Sequence, residues 1–381
     1  MQRARYLITI IIALKSILLF SQDLPPKQAY PYDVKQIHSG HSLTDPLFYP
    51  HWPGQYVNLM TTLRGNWAGD DIGKSTIPGS PMRYRWDNPT NAPDARLNIN
   101  KFELLCITEV ATLCIEGENT ATWYQECIRD QKAYLSLFAN NAWENGNDGQ
   151  GAATLLWTNW VSIDGSNGPF RQMLDKSGGE WERMQDYANE NRPAGAPPIY
   201  IIPGHRMMAR LYDDVQAGKV PSITQFSQFF GDNIHVNELG AYAIAMIHYA
   251  CIYNKNPLGL PNNLINNPPA GTLIPSPALA EYLQKMIWEV VTTYPRTGIK
   301  DTSVKSEDTQ VNDNCVYPNP AINTLVICQN ENSFKQSKVS IFNAFGKLKM
   351  VSDQLEIDVS QLTSGMYYAL IGDKVVKFVK L

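Results

Sequence analysis

The sequence lacks an excess of positive charge. Its 381 residues include 32 Lys and Arg against 36 Asp and Glu, which gives a formal net charge of −4. Nucleic-acid binding depends on clustered positive charge, so no nucleic-acid partner is expected. The chain also lacks the composition of a disordered protein, because 44% of its residues are hydrophobic. It is long enough for two domains, or for one large domain with an appendage.

Long apolar runs are scarce, and the one that exists stands at the N-terminus. Arg3 and Arg5 precede an apolar run from Leu7 to Phe20, and small Ser21 follows it. The uninterrupted part of the run is too short to cross a bilayer. Residues 1–21 are therefore predicted to be a secretory signal peptide, with a retained membrane anchor as the alternative. No membrane span is expected in the mature chain, which is predicted to be secreted or held at the cell surface.

Cysteine pairs with the close spacing of a zinc site are also missing. Six cysteines are present, and export would place them where disulfides form. Cys114 with Cys127, and Cys315 with Cys328, are candidate pairs, but spacing does not fix the connectivity. Neither a metal nor a cofactor is expected.

Short apolar segments alternate with amphipathic ones from Tyr32 to Thr293. Phe102–Ile107 and Ala153–Trp157 have the length of buried strands, and Thr122–Ala139 and Leu239–Tyr253 have the pattern of helices. Strands that alternate with helices predict a parallel sheet covered on both faces. We assign residues 22–295 to this α/β domain.

The composition changes after this domain. Residues 296–314 are polar and contain almost no large apolar side chain, so they are predicted to be a linker. Residues 315–381 then show short β patterns separated by turn residues, such as Val339–Phe342 and Met366–Ile371. This pattern predicts a small β-sandwich.

One stretch near the start of the α/β domain, IHSGHSLTD, is rich in reactive side chains. Val34–Ile37 can form a strand, Gly40 allows a sharp turn, and Ser42 would then lie where the next helix begins. Ligands of open α/β sheets bind beyond the carboxyl ends of the strands. Backbone N–H groups at a helix N-terminus would face a developing oxyanion. His38 and His41 are not expected to bind a metal, since no nearby carboxylate completes a ligand set.

A nucleophilic serine needs a base, and the best candidate is in the late stretch DNIHVNELGAY. Asp232 and His235 are three positions apart in what is expected to be one loop, so the carboxylate can hold the imidazole. The other imidazole nitrogen would then face Ser42. The three residues occur in the order Ser, Asp, His.

These two blocks resemble those of the SGNH/GDSL hydrolases. GHSLTD is similar to the family's nucleophile block, with His41 where the family has aspartate, and DNIHVNELG is similar to its terminal block. The resemblance extends over roughly residues 32–294. It implies a three-layer α/β/α, flavodoxin-like fold and a serine hydrolase. Ser42 would be the nucleophile, His235 the base and Asp232 the residue that orients it.

The same resemblance implies an oxyanion hole that is only partly recognisable. The amides of Ser42 and Gly79, in TIPGSPMRYRW, match two of the family's donors. The family's asparagine after the third strand is missing, because that strand ends at Glu109 here. Either Glu109 marks a divergent arrangement, or Asn147 in NGNDG supplies the donor. Glu109 and His205 are candidates for the rim of the site. Glu109 could equally be a cap or a salt-bridge partner, and His205 fits better as a residue at the start of a helix.

The C-terminal module carries a second resemblance. Its YPNPA start, its FGK turn, the segment LTSGMYY and a lysine-rich end occur in order. They resemble the C-terminal sorting domain of type IX secretion substrates in Bacteroidota. This resemblance implies the type IX secretion machinery as a partner and delivery across the outer membrane. An ordinary β-sandwich binding module is the alternative.

The sequence thus predicts a secreted esterase, with an acyl group on a carbohydrate as the expected substrate because exported members of the family often act there. The alternative is a catalytically inactive SGNH-like surface protein that binds glycan, since the family asparagine is missing. Trp157, Trp160 and Trp181 are candidates for a sugar-stacking surface, but core packing is the favoured prediction for most of them.

Overall fold

The chain divides into two compact units, Met1–Asp301 and Thr302–Leu381. A computed structural model describes residues 24–52, 55–63, 72–265, 268–301, 315–317, 321–328, 338–343, 347–371 and 374–381. The predicted signal peptide, residues 1–21, lies outside the described residues. Among the described helices, none has both the length and the apolar composition needed to cross a membrane.

The first unit alternates strands and helices. Its strands are β1 (Gln36–Gly40), β2 (Phe48–Trp52), β3 (Gln55–Asn58), β4 (Ile72–Thr76), β5 (Leu104–Ile107), β6 (Ala153–Trp157) and β7 (Tyr200–Ile202). Its helices are α1 (Leu59–Leu63), α2 (Met82–Asp87), α3 (Thr122–Gly149), α4 (Phe170–Glu190), α5 (Gly204–Gln216), α6 (Glu238–Tyr253) and α7 (Pro277–Thr293).

Five of these strands form one parallel sheet in the order β4-β1-β5-β6-β7. The predicted α/β class with a parallel sheet is confirmed. The chain leaves β1 for β4 on one side and returns to β5 on the other, so the strand order reverses at β1. In open α/β sheets, the crevice at the carboxyl end of such a reversal is where ligands bind.

Both faces of the sheet are covered by helices. Leu104 and Cys106 of β5 belong to an apolar cluster that includes nearly all of α6. Leu105 and Ile107, which point the other way, belong to a second cluster that includes α2, α3 and α4 residues. Because side chains alternate along a strand, a strand that is apolar throughout must be buried on both sides.

Cys114 and Cys127 form a disulfide that ties the segment after β5 to the first turns of α3. This is one of the two candidate pairs. The side chains of the other pair, Cys315 and Cys328, lie outside the described residues.

The linker begins later than the sequence predicts. Arg296 Nη2 donates to Asp186 Oδ2 at 3.1 Å, and Thr297 Oγ1 donates to the carbonyl of Val291 at 2.8 Å. Ile299 is buried as well. Residues 296–301 therefore pack on the first unit, and their polar composition reflects specific bonds rather than solvation. The rest of the predicted linker, residues 302–314, lies outside the described residues.

The second unit is built from antiparallel strands, as the sequence predicts. They are β8 (Cys315–Tyr317), β9 (Thr324–Cys328), β10 (Val339–Asn343), β11 (Leu348–Ser352), β12 (Glu356–Asp358), β13 (Gly365–Ile371) and β14 (Lys374–Lys380). They form two sheets, ordered β11-β10-β13-β14 and β12-β9-β8. Leu325 of one sheet and Ile341, Ala369 and Phe378 of the other share one apolar cluster.

We expect Gly40→Ala to destabilise the first unit, because the added Cβ would lie 2.0 Å from Thr44 Oγ1 and 3.1 Å from Thr108 Cγ2. Overpacking of this kind costs roughly 1–3 kcal/mol of unfolding free energy, measurable by urea denaturation. Gly179→Ala in α4 is the matched control, since its nearest contact is the Arg183 guanidinium at 3.8 Å. The control should be neutral or stabilising by up to about 1 kcal/mol. Equal stability of the two variants would contradict the expectation.

We also expect stability to fall as the pH drops below about 6.5. Burial lowers the pKa of His38, His41, His205 and His248, to about 4 for His41 and His248 and to about 3 for His205. The unfolded chain binds these protons as the pH falls and the folded chain does not, so this stability is complete above the ordinary histidine pKa. Each histidine adds a slope of up to about 1.4 kcal/mol per pH unit.

Urea unfolding between about pH 7 and pH 5 measures this slope. Burial raises the pKa of Glu109, which adds stability as the pH falls and so opposes the effect of the histidines. The four histidines outweigh this single carboxyl group. A flat profile across this range would show that the histidines are not buried in their neutral form.

Candidate active site

Ser42 lies in the turn directly after β1, at the reversal of strand order. Leu43, within this turn, and Leu47, just after it, are fully buried and anchor it to the core. The helix expected after Ser42 is only a single 3-10 turn, Asp45–Leu47, followed by the β2–β3 hairpin. The prediction that an α-helix begins beside the serine was therefore wrong, and any oxyanion stabilisation must come from individual amides.

His41 organises the turn from below. The Leu43 amide donates to His41 Nδ1 at 3.3 Å, so the ring proton is on Nε2, which donates to the carbonyl of Glu109 at 2.9 Å. Burial lowers the pKa of His41 to about 4, which keeps the ring neutral. His41 therefore links the Ser42 turn to the residue that follows β5. The sequence pattern does not predict this role of His41.

Asn159, which follows β6, joins the same network and was also missed. Its amide nitrogen donates to the carbonyl of Glu109 at 2.7 Å and to Thr108 Oγ1 at 3.0 Å. The side chain is 1% exposed. A polar residue directly after a buried strand was the available signal, since the carboxyl ends of parallel strands meet at one edge.

Ser42 and His235 are in direct contact, and Asp232 completes a chain of two hydrogen bonds. Ser42 Oγ lies 2.9 Å from His235 Nε2, and His235 Nδ1 lies 2.7 Å from Asp232 Oδ2. With Nδ1–H donated to the carboxylate, Nε2 can accept the serine proton. The structure thus brings together all three residues that the sequence proposed as a triad.

The charge and direction of Asp232 follow from its own loop. Its Oδ1 accepts the backbone amides of His235 at 2.6 Å and Ile234 at 2.8 Å, which leaves Oδ2 for the ring. The backbone amide of His235, the amide of Ile234 and the His235 ring together lower the pKa of Asp232 to about 2. The carboxylate is therefore ionised at neutral pH.

The loop that carries His235 is tied down at several points. The amide of Gly231 donates to the carbonyl of His235 at 2.8 Å, and Trp160 Nε1 donates to the carbonyl of Ile234 at 2.9 Å. Asn237 then caps α6 by accepting the amide of Leu239 at 3.0 Å. Because the loop ends at a capped, buried helix, the position of His235 is fixed by the core.

Gly79 lies in the turn after β4, the strand next to β1. It is exposed, and its φ of +65° is a conformation that favours glycine. Gly79 and Ser42 thus occupy neighbouring strand ends at the same edge of the sheet, as the sequence predicts for two oxyanion donors. Their role as donors stays a prediction.

Arg85 contacts the ends of three neighbouring strands. No pattern in the sequence predicted this role. Its guanidinium is buried and contacts Ser39 Oγ in β1 at 3.3 Å, Ser80 Oγ after β4 at 3.2 Å, and the carbonyl of Thr108 after β5. Burial lowers the pKa of Arg85 to about 10, so it remains charged. The buried carboxyl of Glu109 acts in the opposite direction and raises the pKa of Arg85.

Neither Glu109 nor His205 lies on an exposed rim, and His205 is instead the helix-start residue that was its alternative. Glu109 is buried, and its Oε1 accepts the amides of Met82 at 2.9 Å and Val110 at 2.7 Å. His205 is buried at the start of α5, with Nδ1 2.7 Å from Thr158 Oγ1. Both follow strands at the correct edge, but a buried polar side chain must find partners inside the protein, and these two do.

Asn147 cannot act as the missing oxyanion donor. Its amide donates to the carbonyl of Phe102, just before β5, at 2.8 Å. Asn147 therefore lies at the amino ends of the strands, whereas Ser42 lies at their carboxyl ends. Asn147 and Asp148 both have positive φ, a backbone conformation that asparagine and aspartate tolerate in turns. The need for a turn therefore accounts for the residues of the NGNDG stretch.

An open groove of about 650 Å³ adjoins Ser42 and His235. Pro46, Phe48 and Val236 give it apolar walls. Its volume is within the range of about 300–1,000 Å³ typical of small-molecule sites.

Residues 315–380 match the family model described as the secretion system C-terminal sorting domain. The C-terminal module is a secretion sorting domain. This confirms the prediction made from its motifs, and it confirms the secretion machinery as a partner and export as the destination. The sorting domain accounts for the second unit alone.

No curated protein gives a significant match to the chain. Among solved structures, a crystal structure of a DUF4886 family protein from Bacteroides uniformis is similar to it. The identity is 12% and the TM-score 0.46, over 71% of this chain and 99% of that one.

We expect Arg85→Met to lower the unfolding free energy by about 3 kcal/mol, because it leaves buried acceptors at Ser80 and Thr108 without a donor. Arg85→Lys keeps the charge but not the planar fork, so it should lie between wild type and Arg85→Met. Urea denaturation measures both. If Arg85→Met is as stable as wild type, Arg85 does not hold the strand ends together.

Proposed function

We propose that the first unit is a serine esterase of the SGNH/GDSL type that removes acyl groups from carbohydrate. The observation that carries this proposal is the hydrogen-bonded chain from Ser42 Oγ through the His235 ring to Asp232, with distances of 2.9 and 2.7 Å. The strand reversal at β1 supports it, because the chain of bonds stands where open α/β sheets bind ligands.

In this proposal Ser42 Oγ attacks the ester carbonyl while His235 Nε2 takes its proton. Asp232 holds Nδ1–H and stabilises the imidazolium that forms. The amides of Ser42 and Gly79 donate to the oxyanion of the tetrahedral intermediate. His235 then returns the proton to the leaving alcohol, which leaves an acyl group on Ser42. A water molecule, deprotonated by His235, hydrolyses this acyl-enzyme and regenerates the serine.

The openness of the site supports a large substrate. The side chains of His235 and Asp232 are 46% and 52% exposed, so no lid in the described residues covers them. The groove beside Ser42 has apolar walls that suit an acyl group. The sorting domain directs the chain to the cell exterior, where acylated polysaccharides are accessible.

Hydrolysis of p-nitrophenyl acetate by the full chain tests the proposal. We expect Ser42→Ala to lower kcat by about 10³-fold or more, and Asp232→Asn by about 10²–10⁴-fold, since the ring loses its partner. Ser227→Ala, at an exposed serine outside the triad, is the control and should match wild type. A fluorophosphonate probe should label wild type and the control but not Ser42→Ala.

Two results would refute the esterase: no hydrolysis of any ester by wild type, and no labelling of Ser42 by the probe. The alternative of an inactive, glycan-binding surface protein would then account for the retained fold.

A further inference from the structure

One tryptophan of the first unit differs from those weighed as a sugar-stacking surface. Trp157, Trp160 and Trp181 are each at most 1% exposed and belong to the core, whereas Trp123, in the first turn of α3, is 63% exposed. An indole that stays exposed to water does not contribute the stabilising free energy that its burial would give. Exposed aromatic side chains are common where a protein binds a partner.

Trp123 lines a groove of about 310 Å³ that is separate from the one beside His235. Pro81 and Val110 also line it. Pro81 belongs to the segment after β4 and Val110 to the segment after β5, and these are the two strands that flank β1. The Trp123 groove therefore opens at the same edge of the sheet as Ser42.

Four charged side chains line the Trp123 groove: Arg83 and the three carboxyl groups of Glu109, Glu126 and Asp130. Arg83 and Asp130 form an ion pair of 2.8 Å, and Glu109 is buried, which leaves Glu126 as an exposed carboxylate. The excess of carboxyl groups disfavours an anionic ligand. Carboxylate acceptors and a guanidinium donor beside an indole suit a ligand that has hydroxyl groups and an apolar face.

The floor of the groove is rigid. Cys127 lines it and is bonded to Cys114, and the side chain of Gln131 accepts from the Cys114 amide at 3.3 Å and donates to its carbonyl at 2.9 Å. A preformed surface loses little conformational entropy when a ligand binds.

We propose that the Trp123 groove is a sugar-binding subsite, in which a pyranose ring stacks its C–H face on Trp123. The hydroxyl groups of the ring would bond to Glu126 and to the Arg83–Asp130 pair. This inference rests on the proposed function for its biological meaning: the groove would hold the carbohydrate whose acyl group lies at Ser42. Sugar binding itself does not require catalysis.

Calorimetric binding to the full chain tests the subsite, with unacetylated xylo- and manno-oligosaccharides as probes. We expect at least one probe to bind, with Trp123→Ala raising its Kd about 10-fold or more and Trp123→Phe raising it less. Tyr187→Ala removes a different exposed aromatic, in α4, and should bind as wild type does. For the acetylated form of the bound probe, Trp123→Ala should raise KM more than it lowers kcat.

The outcomes separate the two proposals. Binding that depends on Trp123, together with an inert Ser42, supports the subsite and refutes the esterase. Ester hydrolysis through Ser42, together with no binding of any probe or with equal binding by wild type and Trp123→Ala, refutes the subsite and leaves the esterase standing.

Discussion

Parallel pairing of β1 between β4 and β5 is the constraint on which the rest of the first unit depends. It places the ends of three strands side by side, so residues separated by long stretches of sequence meet at one edge. The Ser42 turn, the Gly79 turn and the Glu109 segment all begin there. Helices on both faces supply the burial that keeps this pairing in register.

Strand ends that meet in a buried place bring backbone carbonyls and polar side chains out of water, and most such groups find a hydrogen-bond partner. Here three side chains supply partners: the neutral ring of His41, the amide of Asn159 and the guanidinium of Arg85. Asn159 Oδ1 and Thr44 Oγ1 stay buried without one among the described residues. The bonds of the three side chains run from strand to strand rather than along one segment. The hydrogen-bonded chain of Ser42, His235 and Asp232 thus adjoins a buried polar network whose members are not part of it.

The sequence was informative where function requires particular residues at short spacing. Asp232 and His235 share one loop, so their contact could be predicted, and Ser42 followed from its place after a strand. The sequence was uninformative where contacts are long-range.

Arg85 and Asn159 look like ordinary surface residues in the sequence, because burial of a polar side chain depends on partners from other strands. The prediction for Asn147 failed for the opposite reason. The NGNDG stretch matches a motif, but it forms a turn at the other end of the sheet. The parallel sheet was predictable from alternation alone, whereas the single 3-10 turn after Ser42 was not.

The Cys114–Cys127 disulfide bears on when the segment between β5 and α3 reaches its final structure. Thiols stay reduced in the bacterial cytosol, so this bond forms only after the chain has left it. The segment between β5 and α3, which includes one wall of the Trp123 groove, is tied down at that stage. Ser42 and the His235 loop are held by the sheet and by α6, neither of which contains this bond. Closure of the segment between β5 and α3 is therefore coupled to export.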